Sequence, residues 1–184
     1  MVTLSGVRRA RLRQSFSRAA ARFDSVATLP REIANRMSER LALMRLPVQC
    51  VLDAGCGTGH AARTLRQRYR GATIIELDLS EKMLRCVVSR RKLIWPLTGL
   101  SARRVAVCAD IQQLPLAAAS VDLVWSNLAL HWVEDLPAAF SQLHRVLRPG
   151  GLLMFSMLGP DTLQELRAAA TGDAFRVNPH LDMH

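Results

Sequence analysis

The stretch VLDAGCGTGHAARTL, residues 51–65, combines one aspartate with three closely spaced glycines. An apolar run leads into the glycines and a helix-like run follows them. Glycine has no Cβ, so a glycine-rich turn lets the backbone approach a ligand closely. The spacing D-x-G-x-G-x-G therefore predicts a loop that holds a nucleotide-like ligand, formed by Asp53, Gly55, Gly57 and Gly59.

Two common nucleotide-binding loops do not match this stretch. A phosphate-binding P-loop carries a lysine directly after its last glycine, and a dinucleotide loop carries a third glycine where this chain has His60. Asp53 also disfavours a pyrophosphate, because like charges repel at short range. The ligand that fits is cationic and free of phosphate. S-adenosylmethionine, which carries a sulfonium and an ammonium group, has these properties.

Two further acids end later apolar runs. Asp78 follows the glycines by about 20 residues, where a carboxylate can accept both hydroxyls of a ribose. Asp110 ends the next run and can accept the amino group of an adenine, whereas Glu76 is expected to lie deeper in the sheet. Each acid taken singly is equally typical of a helix N-cap or a surface carboxylate. Their order after the glycines favours cofactor binding.

Strand-like apolar runs alternate with helix-like runs in the order that a doubly covered parallel sheet requires. Such an alternation predicts an α/β fold, with a mostly parallel sheet and helices on both faces. The predicted strands are 50–54, 72–78, 104–110, 121–127 and 152–158. The predicted helices are 30–46, 60–69, 80–92, 136–147 and 159–171, with the basic segment 89–104 as an irregular linker.

The composition is that of an ordinary folded protein. The 184 residues are 49% hydrophobic and 22% charged, which suits one soluble domain with a core. No apolar run reaches the roughly 18 residues of a membrane span. The four cysteines lack C-x-x-C spacing, which favours buried thiols in a reducing compartment and predicts no metal site.

The net charge of +10 indicates an acidic partner, and charge alone leaves nucleic acid, anionic lipid and acidic protein open. Six of the arginines precede the first acid, Asp24: they are Arg8, Arg9, Arg11, Arg13, Arg18 and Arg22. This segment fits a mitochondrial presequence. It equally fits a surface helix whose apolar face holds Leu12, Phe16, Ala19 and Phe23.

From about residue 51 to residue 158 the chain resembles the class I S-adenosylmethionine-dependent methyltransferases. The matching segments are VLDAGCGTG, ELDLSEKML, ADIQQLPL, VDLVWSNLALHW and LHRVLRPGGLLMFS. The resemblance implies a Rossmann-like fold and S-adenosylmethionine as cofactor. It assigns the methionine part of the cofactor to Asp53, Gly55, Gly57 and Gly59, the ribose to Asp78, the adenine to Asp110 and Ile111, and a place beside the methionine to Asn127.

A narrower resemblance extends to the N-terminal segment. RQSFSRAAARFD, SNLALHW and LLMFSMLGPDTLQELR are similar to the malonyl-acyl-carrier-protein O-methyltransferases of biotin synthesis. That family methylates the free carboxylate of a malonyl thioester on an acidic acyl carrier protein in the cytoplasm. The resemblance makes residues 1–46 a helical lid rather than a presequence, and residues 47–184 the cofactor-binding core. It leaves open which arginine grips the substrate, with Arg18, Arg22 and Arg148 as candidates.

The chain departs from the family pattern in two places. Phe23 stands where the family often has a tyrosine, and five strands are recognisable where the fold has seven. We therefore expect the core to be incomplete, without the final antiparallel strands. No catalytic residue is assigned, because an ionised carboxylate needs no general base and His131 is more typical of a packed side chain.

Three other functions remain as alternatives. The complex I assembly factors, which hydroxylate a protein arginine, share GPDTLQELR and the DMH ending. An RNA methyltransferase would also be basic, but an N-P-P-Y-like motif is absent where this chain has SNLA, so nucleic acid is disfavoured. A non-catalytic scaffold with the same fold is the remaining alternative.

Overall fold

The computed structural model describes residues 4–98, 103–159 and 162, which form six helices and five strands together with two single-turn 3₁₀ helices. The helices are α1 (Leu4–Ala19), α2 (Phe23–Val26), α3 (Thr28–Ala42), α4 (Ala61–Arg68), α5 (Glu81–Thr98) and α6 (Leu136–Val146). The strands are β1 (Cys50–Ala54), β2 (Thr73–Asp78), β3 (Arg104–Cys108), β4 (Val121–Asn127) and β5 (Leu147–Ser156). The 3₁₀ helices are Ile111–Gln113 and Leu130–Trp132.

The five strands form one parallel sheet in the order β3-β2-β1-β4-β5. The chain builds outward from β1 in one direction and then returns to add β4 on the other side. Ligands of such sheets bind beyond the carboxyl ends of the strands, where the order reverses. The glycine loop follows β1 and therefore lies at this point.

The hydrophobic core has two halves, one on each face of the sheet. Val51 packs with residues of α3 and α4, whereas its neighbour Leu52 packs with residues of α6. Successive residues of a strand point to opposite faces, so both faces of β1 are covered. The predicted parallel sheet with helices on both faces is confirmed.

Two strands, β3 and β5, differ from their predicted bounds by more than one residue. β3 ends at Cys108, because Asp110 leaves the strand to accept a 2.8 Å hydrogen bond from the Gln112 amide and so caps the 3₁₀ helix. β5 begins at Leu147, five residues before the predicted start. The segment that reads RPGG is therefore part of the strand and not a turn, with an irregular register opposite the start of β4.

The predicted linker 89–104 is largely helical, since α5 continues to Thr98. Neither glycine nor proline occurs between Glu81 and Trp95, so nothing in that stretch ends the helix. The predicted helix 159–171 lies outside the described residues except for residues 159 and 162, and the expectation that the final strands are missing stays a prediction. No helix in the described part of the chain is both long and apolar enough to cross a membrane.

Helix α1 lies against the loops that follow β2 and β4. Phe16 meets the ring of Trp132 edge to face at 5.3 Å, and the hydroxyl groups of Ser17 and Ser80 are 2.9 Å apart. The buried face of this segment includes Ala20, whereas Ala19 is exposed, contrary to the predicted face. The reason is that α1 ends at Ala19 and Phe23 begins the separate helix α2.

Candidate functional site

A cavity of about 630 Å³ lies at the carboxyl ends of the central strands. This volume falls within the range of small-molecule sites, about 300–1,000 Å³. Its walls come from the glycine loop, from the ends of three strands and from the N-terminal helices. The cavity brings together seven of the eight predicted cofactor residues: Asp53, Gly55, Gly57, Asp78, Asp110, Ile111 and Asn127.

The glycine loop is held by the neighbouring strand. The amide groups of Gly55 and Cys56 both donate to the carbonyl of Leu77, at 2.8 and 2.9 Å. Gly55 has a φ of +78°, and a Cβ at this position would overlap the side chain of Ala129. This glycine is therefore required by its backbone conformation and by the close approach of Ala129.

Gly59 is the predicted site residue that does not line the cavity. A Cβ on Gly59 would lie 2.8 Å from Glu76 Oε1 and 2.9 Å from Val87 Cγ2. Glu76 is fully buried, deeper in the sheet as expected, and Arg104 Nε donates to its Oε2 at 2.8 Å. Gly59 thus lets the loop close over a buried ion pair instead of facing a ligand.

Asp53 is an acid of the cavity whose charged form is disfavoured in the folded protein. Its side chain is 2% exposed, and among the described residues its Oδ2 has no hydrogen-bond partner. Burial raises its pKa well above the ordinary value, and the charges of Glu76 and Asp78 raise it further. Trp125, its register partner on β4, also lines the cavity with a buried Nε1 that the described residues leave unpaired. A cationic ligand would offset the cost of the Asp53 charge.

Asp78 is fixed in place by the backbone around it. Its Oδ2 accepts from the Gly57 amide at 2.9 Å, and its Oδ1 accepts from the Ser80 amide at 2.8 Å. Burial raises the pKa of Asp78, and these two hydrogen bonds act in the opposite direction. Each carboxylate oxygen retains a second lone pair, so Asp78 can accept two hydroxyl groups without moving.

Asp110 already contacts the N-terminal helix. Its Oδ1 accepts from the Gln112 amide, whereas its Oδ2 lies 2.9 Å from Arg9 Nε. The predicted adenine acceptor is thus paired with a cation from α1. Ile111, which is buried, follows it and lines the cavity beside it.

Asn127 connects three elements at the back of the cavity. Its Nδ2 donates to the Pro30 carbonyl at 2.8 Å, and its Oδ1 accepts from Ser156 Oγ at 2.8 Å. These bonds tie β4 to β5 and to the start of α3. Asn127 lines the cavity, but both ends of its amide already hold protein groups.

Asp24 is a site residue that sequence reasoning missed. Thr58 Oγ1, in the glycine loop, donates to Asp24 Oδ1 at 2.6 Å, and Arg31 Nη2 donates to the Asp24 carbonyl. Asp24 thereby joins α2 to the loop and to α3. Its position as the first acid after the arginine-rich segment was the available signal.

The predicted substrate arginines do not lie in the cavity. Arg148 Nη1 donates to Asp122 Oδ1 at 2.7 Å, at the opposite end of the sheet where β4 begins. Arg18 and Arg22 are exposed and do not line the cavity. The arginines that do line it are Arg8, Arg9, Arg11 and Arg31.

His131 is a packed residue that also reaches the cavity. It is buried, and its ring lies 5.1 Å from that of Trp132, the residue that meets Phe16. Its burial and its contact with the Trp132 ring are those of a wall residue. Within the described part of the chain, no three metal-ligating side chains are grouped and all four cysteines are free thiols.

Known proteins with similar sequences are methyltransferases. The malonyl-[acyl-carrier protein] O-methyltransferase of Methylovorus sp. (strain MP688) is 55% identical over 178 residues, which are 96% of this chain and 60% of that protein. The enzyme of the same name from Gallionella capsiferriformans (strain ES-2) is 50% identical over 175 residues, 94% of this chain and 60% of that protein. The chain thus spans about 60% of the length of these curated relatives.

Solved structures share the same fold. An S-adenosylmethionine-dependent methyltransferase from Mesorhizobium loti matches with a TM-score of 0.54 at 34% identity, over 65% of this chain and 52% of that one. A Methanococcus maripaludis protein matches with a TM-score of 0.63 at 22% identity, over 83% of this chain and 69% of that one. The second likeness concerns the fold alone. The sheet is therefore that of the Rossmann-like class I methyltransferases.

The family model described as "Methyltransferase domain" matches residues 52–155. This match begins in β1, includes the glycine loop and the three acids, and ends in β5. It covers more than half of the chain and nearly all of the sheet that carries the cavity. The chain therefore belongs to the methyltransferase domain family.

Proposed function

We propose that this protein transfers a methyl group from S-adenosylmethionine to the free carboxylate of a malonyl thioester on acyl carrier protein, an early step of biotin synthesis. The observation that carries the proposal is the charge of the cavity, where acids at the strand ends face arginines on the N-terminal helices. Such a cavity suits a cationic cofactor and an anionic substrate. The relatives' name, malonyl-[acyl-carrier protein] O-methyltransferase, supplies the substrate.

The cavity fits the cofactor at each of its parts. Asp53 Oδ2, which no described residue pairs, suits a cationic methionine end, and the turns at Gly55 and Gly57 let that end approach the backbone. Asp78, with its remaining lone pairs, would hold the ribose. Asp110 and Ile111 would hold the adenine, and Asn127 would support the wall beside the methionine. Gly59 would act indirectly, by allowing the loop to close.

In the proposed reaction the main task of the protein is to orient the two reactants. When bound, S-adenosylmethionine supplies a methyl group on a sulfonium, and a malonyl carboxylate is already ionised at neutral pH, so no proton has to be removed. The residues of this chain therefore have to align the two reactants and exclude water. His131 needs no role as a base in this reaction, in agreement with its packed position.

The N-terminal helices would form the lid of the site. In this proposal residues 1–46 cover the cavity and residues 47–184 bind the cofactor, although α3 also contributes Ala34, Met37 and Leu41 to the core. The exposed arginines of α1 would attract an acidic acyl carrier protein. The free thiols of the described chain suit the reducing cytoplasm, where we place the reaction.

The test is methylation by the intact protein. Incubation with methyl-labelled S-adenosylmethionine and malonyl-acyl carrier protein should give a base-labile methyl ester on the carrier protein. Acetyl-acyl carrier protein, which lacks the carboxylate, should remain unlabelled. Absence of the ester, with another carboxyl methyltransferase active in parallel, would refute the proposed substrate. Absence of S-adenosylmethionine binding by calorimetry would refute both cofactor and reaction, and leave the non-catalytic alternative.

A further inference from the structure

The arginines that line the cavity belong to two helices, and their side chains differ in how strongly neighbouring groups fix their position. Three lie on α1, whereas Arg31 lies on α3. An anionic substrate that is to be aligned with a methyl donor needs a cation whose position is fixed. A mobile cation would attract the substrate without orienting it.

The arginines of α1 do not meet this requirement. Arg9 lies 2.9 Å from Asp110, so its charge is already balanced. Arg8 is 78% exposed and lies 3.8 Å from Glu134, so water screens its charge. Arg11 is also exposed. These side chains suit the attraction of an acidic partner to the mouth of the cavity.

Arg31 is anchored at its backbone and at its side chain. Helix α3 is fixed in the core by Ala34 and Met37, which are buried one and nearly two turns further on. The Arg31 guanidinium donates through Nη2 to the main-chain carbonyl of Asp24. A guanidinium has five N–H donors in one plane, so this bond sets its orientation and leaves donors for an anion.

The carboxylate of Asp24 neutralises Arg31 only in part. Asp24 Oδ1 lies 4.0 Å from Arg31 Nη2, and it accepts a much closer hydrogen bond, 2.6 Å long, from Thr58. Positive charge persists nearby, since the pKa of His60, another residue of the cavity wall, is lowered by burial and then by Arg31 and Arg63. This side of the cavity therefore favours an anion.

We propose that Arg31 binds the carboxylate of the substrate and thereby selects an acyl group that carries a free acid. This assignment rests on the proposed function. The guanidinium fork uses one lone pair on each carboxylate oxygen, and a second lone pair on either oxygen remains for the methyl group. Arg31 is thus a specificity-determining residue. The arginines first considered for this role lie outside the cavity and cannot take its place: Arg18, Arg22 and Arg148.

The test compares two variants of the same helix in the intact protein. Arg31→Gln removes the charge in the cavity, whereas Arg36→Gln removes an exposed charge that pairs with Glu32 outside it. We expect Arg31→Gln to lower kcat/KM for malonyl-acyl carrier protein by about 10- to 100-fold, through kcat as well as KM, because the variant loses both the binding and the alignment of the carboxylate. The Kd for S-adenosylmethionine, measured by calorimetry, should stay within about twofold, and Arg36→Gln should match the wild type.

A competitor without a free carboxylate tests whether Arg31 acts on the carboxylate of the substrate. Acetyl-acyl carrier protein should inhibit the wild type and Arg31→Gln equally, because it offers nothing for Arg31 to bind. Equal losses for acetyl and malonyl carriers, or a loss confined to cofactor binding, would overturn the assignment. An active wild type whose Arg31→Gln variant behaves like Arg36→Gln would overturn the assignment alone. A wild type that leaves the malonyl carrier unmethylated would refute the proposed function, and this assignment with it.

Discussion

Two aspartates of the cavity differ in what surrounds their oxygen atoms. Asp78 accepts two backbone hydrogen bonds, whereas Oδ2 of Asp53 finds no donor among the described residues. Burial raises the pKa of both, but Asp53 also faces the charges of Glu76 and Asp78. The same residue type thus forms an anchored acceptor at one position and a destabilised charge at the other.

Asp53→Asn should therefore stabilise the ligand-free protein at pH 7 to 8. The pKa of Asp53 in the folded protein lies above its unfolded value of 3.8. The folded state of the wild type is therefore most stable below pH 3.8, where Asp53 is protonated in both states. It loses this stability as the pH rises through the folded pKa. The variant has no charge to bury and should gain about 2–4 °C in Tm for each kcal/mol relieved. Thermal unfolding from pH 4 to 8 measures the difference, which should shrink towards pH 4.

Asp53→Asn should bind S-adenosylmethionine more weakly than the wild type, although its folded state is more stable. An amide does not offset the positive charge of S-adenosylmethionine, so calorimetry should show weaker binding together with the higher Tm. A variant that melts at the wild-type temperature at pH 8 would mean that the Asp53 charge costs nothing in the folded protein. Arg36→Gln, an exposed change of charge, provides the control.

At the scale of elements, the glycine loop is a turn between β1 and α4 that has no room for a side chain at Gly55 or Gly59. Gly55 and Gly71 both have positive φ values, +78° and +87°. A Cβ on Gly55 would overlap Ala129, whereas nothing lies within 4 Å of the position of a Cβ on Gly71. Comparing substitutions at Gly55 and Gly71 therefore separates the free-energy cost of a left-handed backbone from the cost of a steric overlap.

Gly71→Ala should lower the free energy of unfolding by about 1–2 kcal/mol, the cost of a left-handed conformation for a residue with a Cβ. Gly55→Ala should cost at least 1 kcal/mol more, because the loop or Ala129 must also move. Urea unfolding measures both. Equal losses in the two variants would show that the contact with Ala129 is easily relieved.

Strands could be predicted from the sequence where burial on both faces of the sheet determines which residues occur. The strands β1, β2 and β4 are apolar because both faces of the sheet are covered, and their bounds agree with the prediction to within one residue. The bounds that differed have causes that an alternation of apolar runs does not show. Asp110 leaves β3 to cap a 3₁₀ helix, and the segment RPGG belongs to β5 because it pairs, with an irregular register, with the start of β4.

The site was predictable to a similar degree. Residues at strand ends share an edge by topology, so the acids and Gly55 could be placed from the order of motifs. The role of Gly59 against Glu76 could not, because it depends on the packing of α5. Arg31 was missed for the same reason: its place in the cavity follows from how α2 turns the chain into α3.

At the scale of the whole molecule, the charge of +10 should act on association and not on cofactor binding. Charges that attract a partner over distance are screened by salt, whereas buried contacts are screened much less. Raising NaCl from about 50 to about 500 mM should weaken binding of malonyl-acyl carrier protein by about tenfold or more. The Kd for S-adenosylmethionine should change by less than about twofold.

Malonyl-pantetheine, which lacks the acidic carrier, provides the matched control for that titration. Its KM should depend on salt much less than the KM of the malonyl carrier. Surface plasmon resonance can assign the effect to the association rate, as expected for steering by charge. Equal salt dependence for the two substrates would place the electrostatic contribution inside the cavity.

In the proposed function, the contact between Arg9 and Asp110 would make two binding events depend on each other. In the proposed assignment the adenine would hydrogen-bond to the carboxylate that Arg9 of α1 already contacts, so cofactor and helix would share one acceptor group. Thermodynamic coupling is reciprocal: whatever draws α1 away from Asp110 would strengthen cofactor binding by the same factor by which the cofactor would release α1. A carrier protein that engages the arginines of α1 would then order the reaction, because its arrival tightens the hold on the methyl donor and its departure loosens the hold on the spent cofactor.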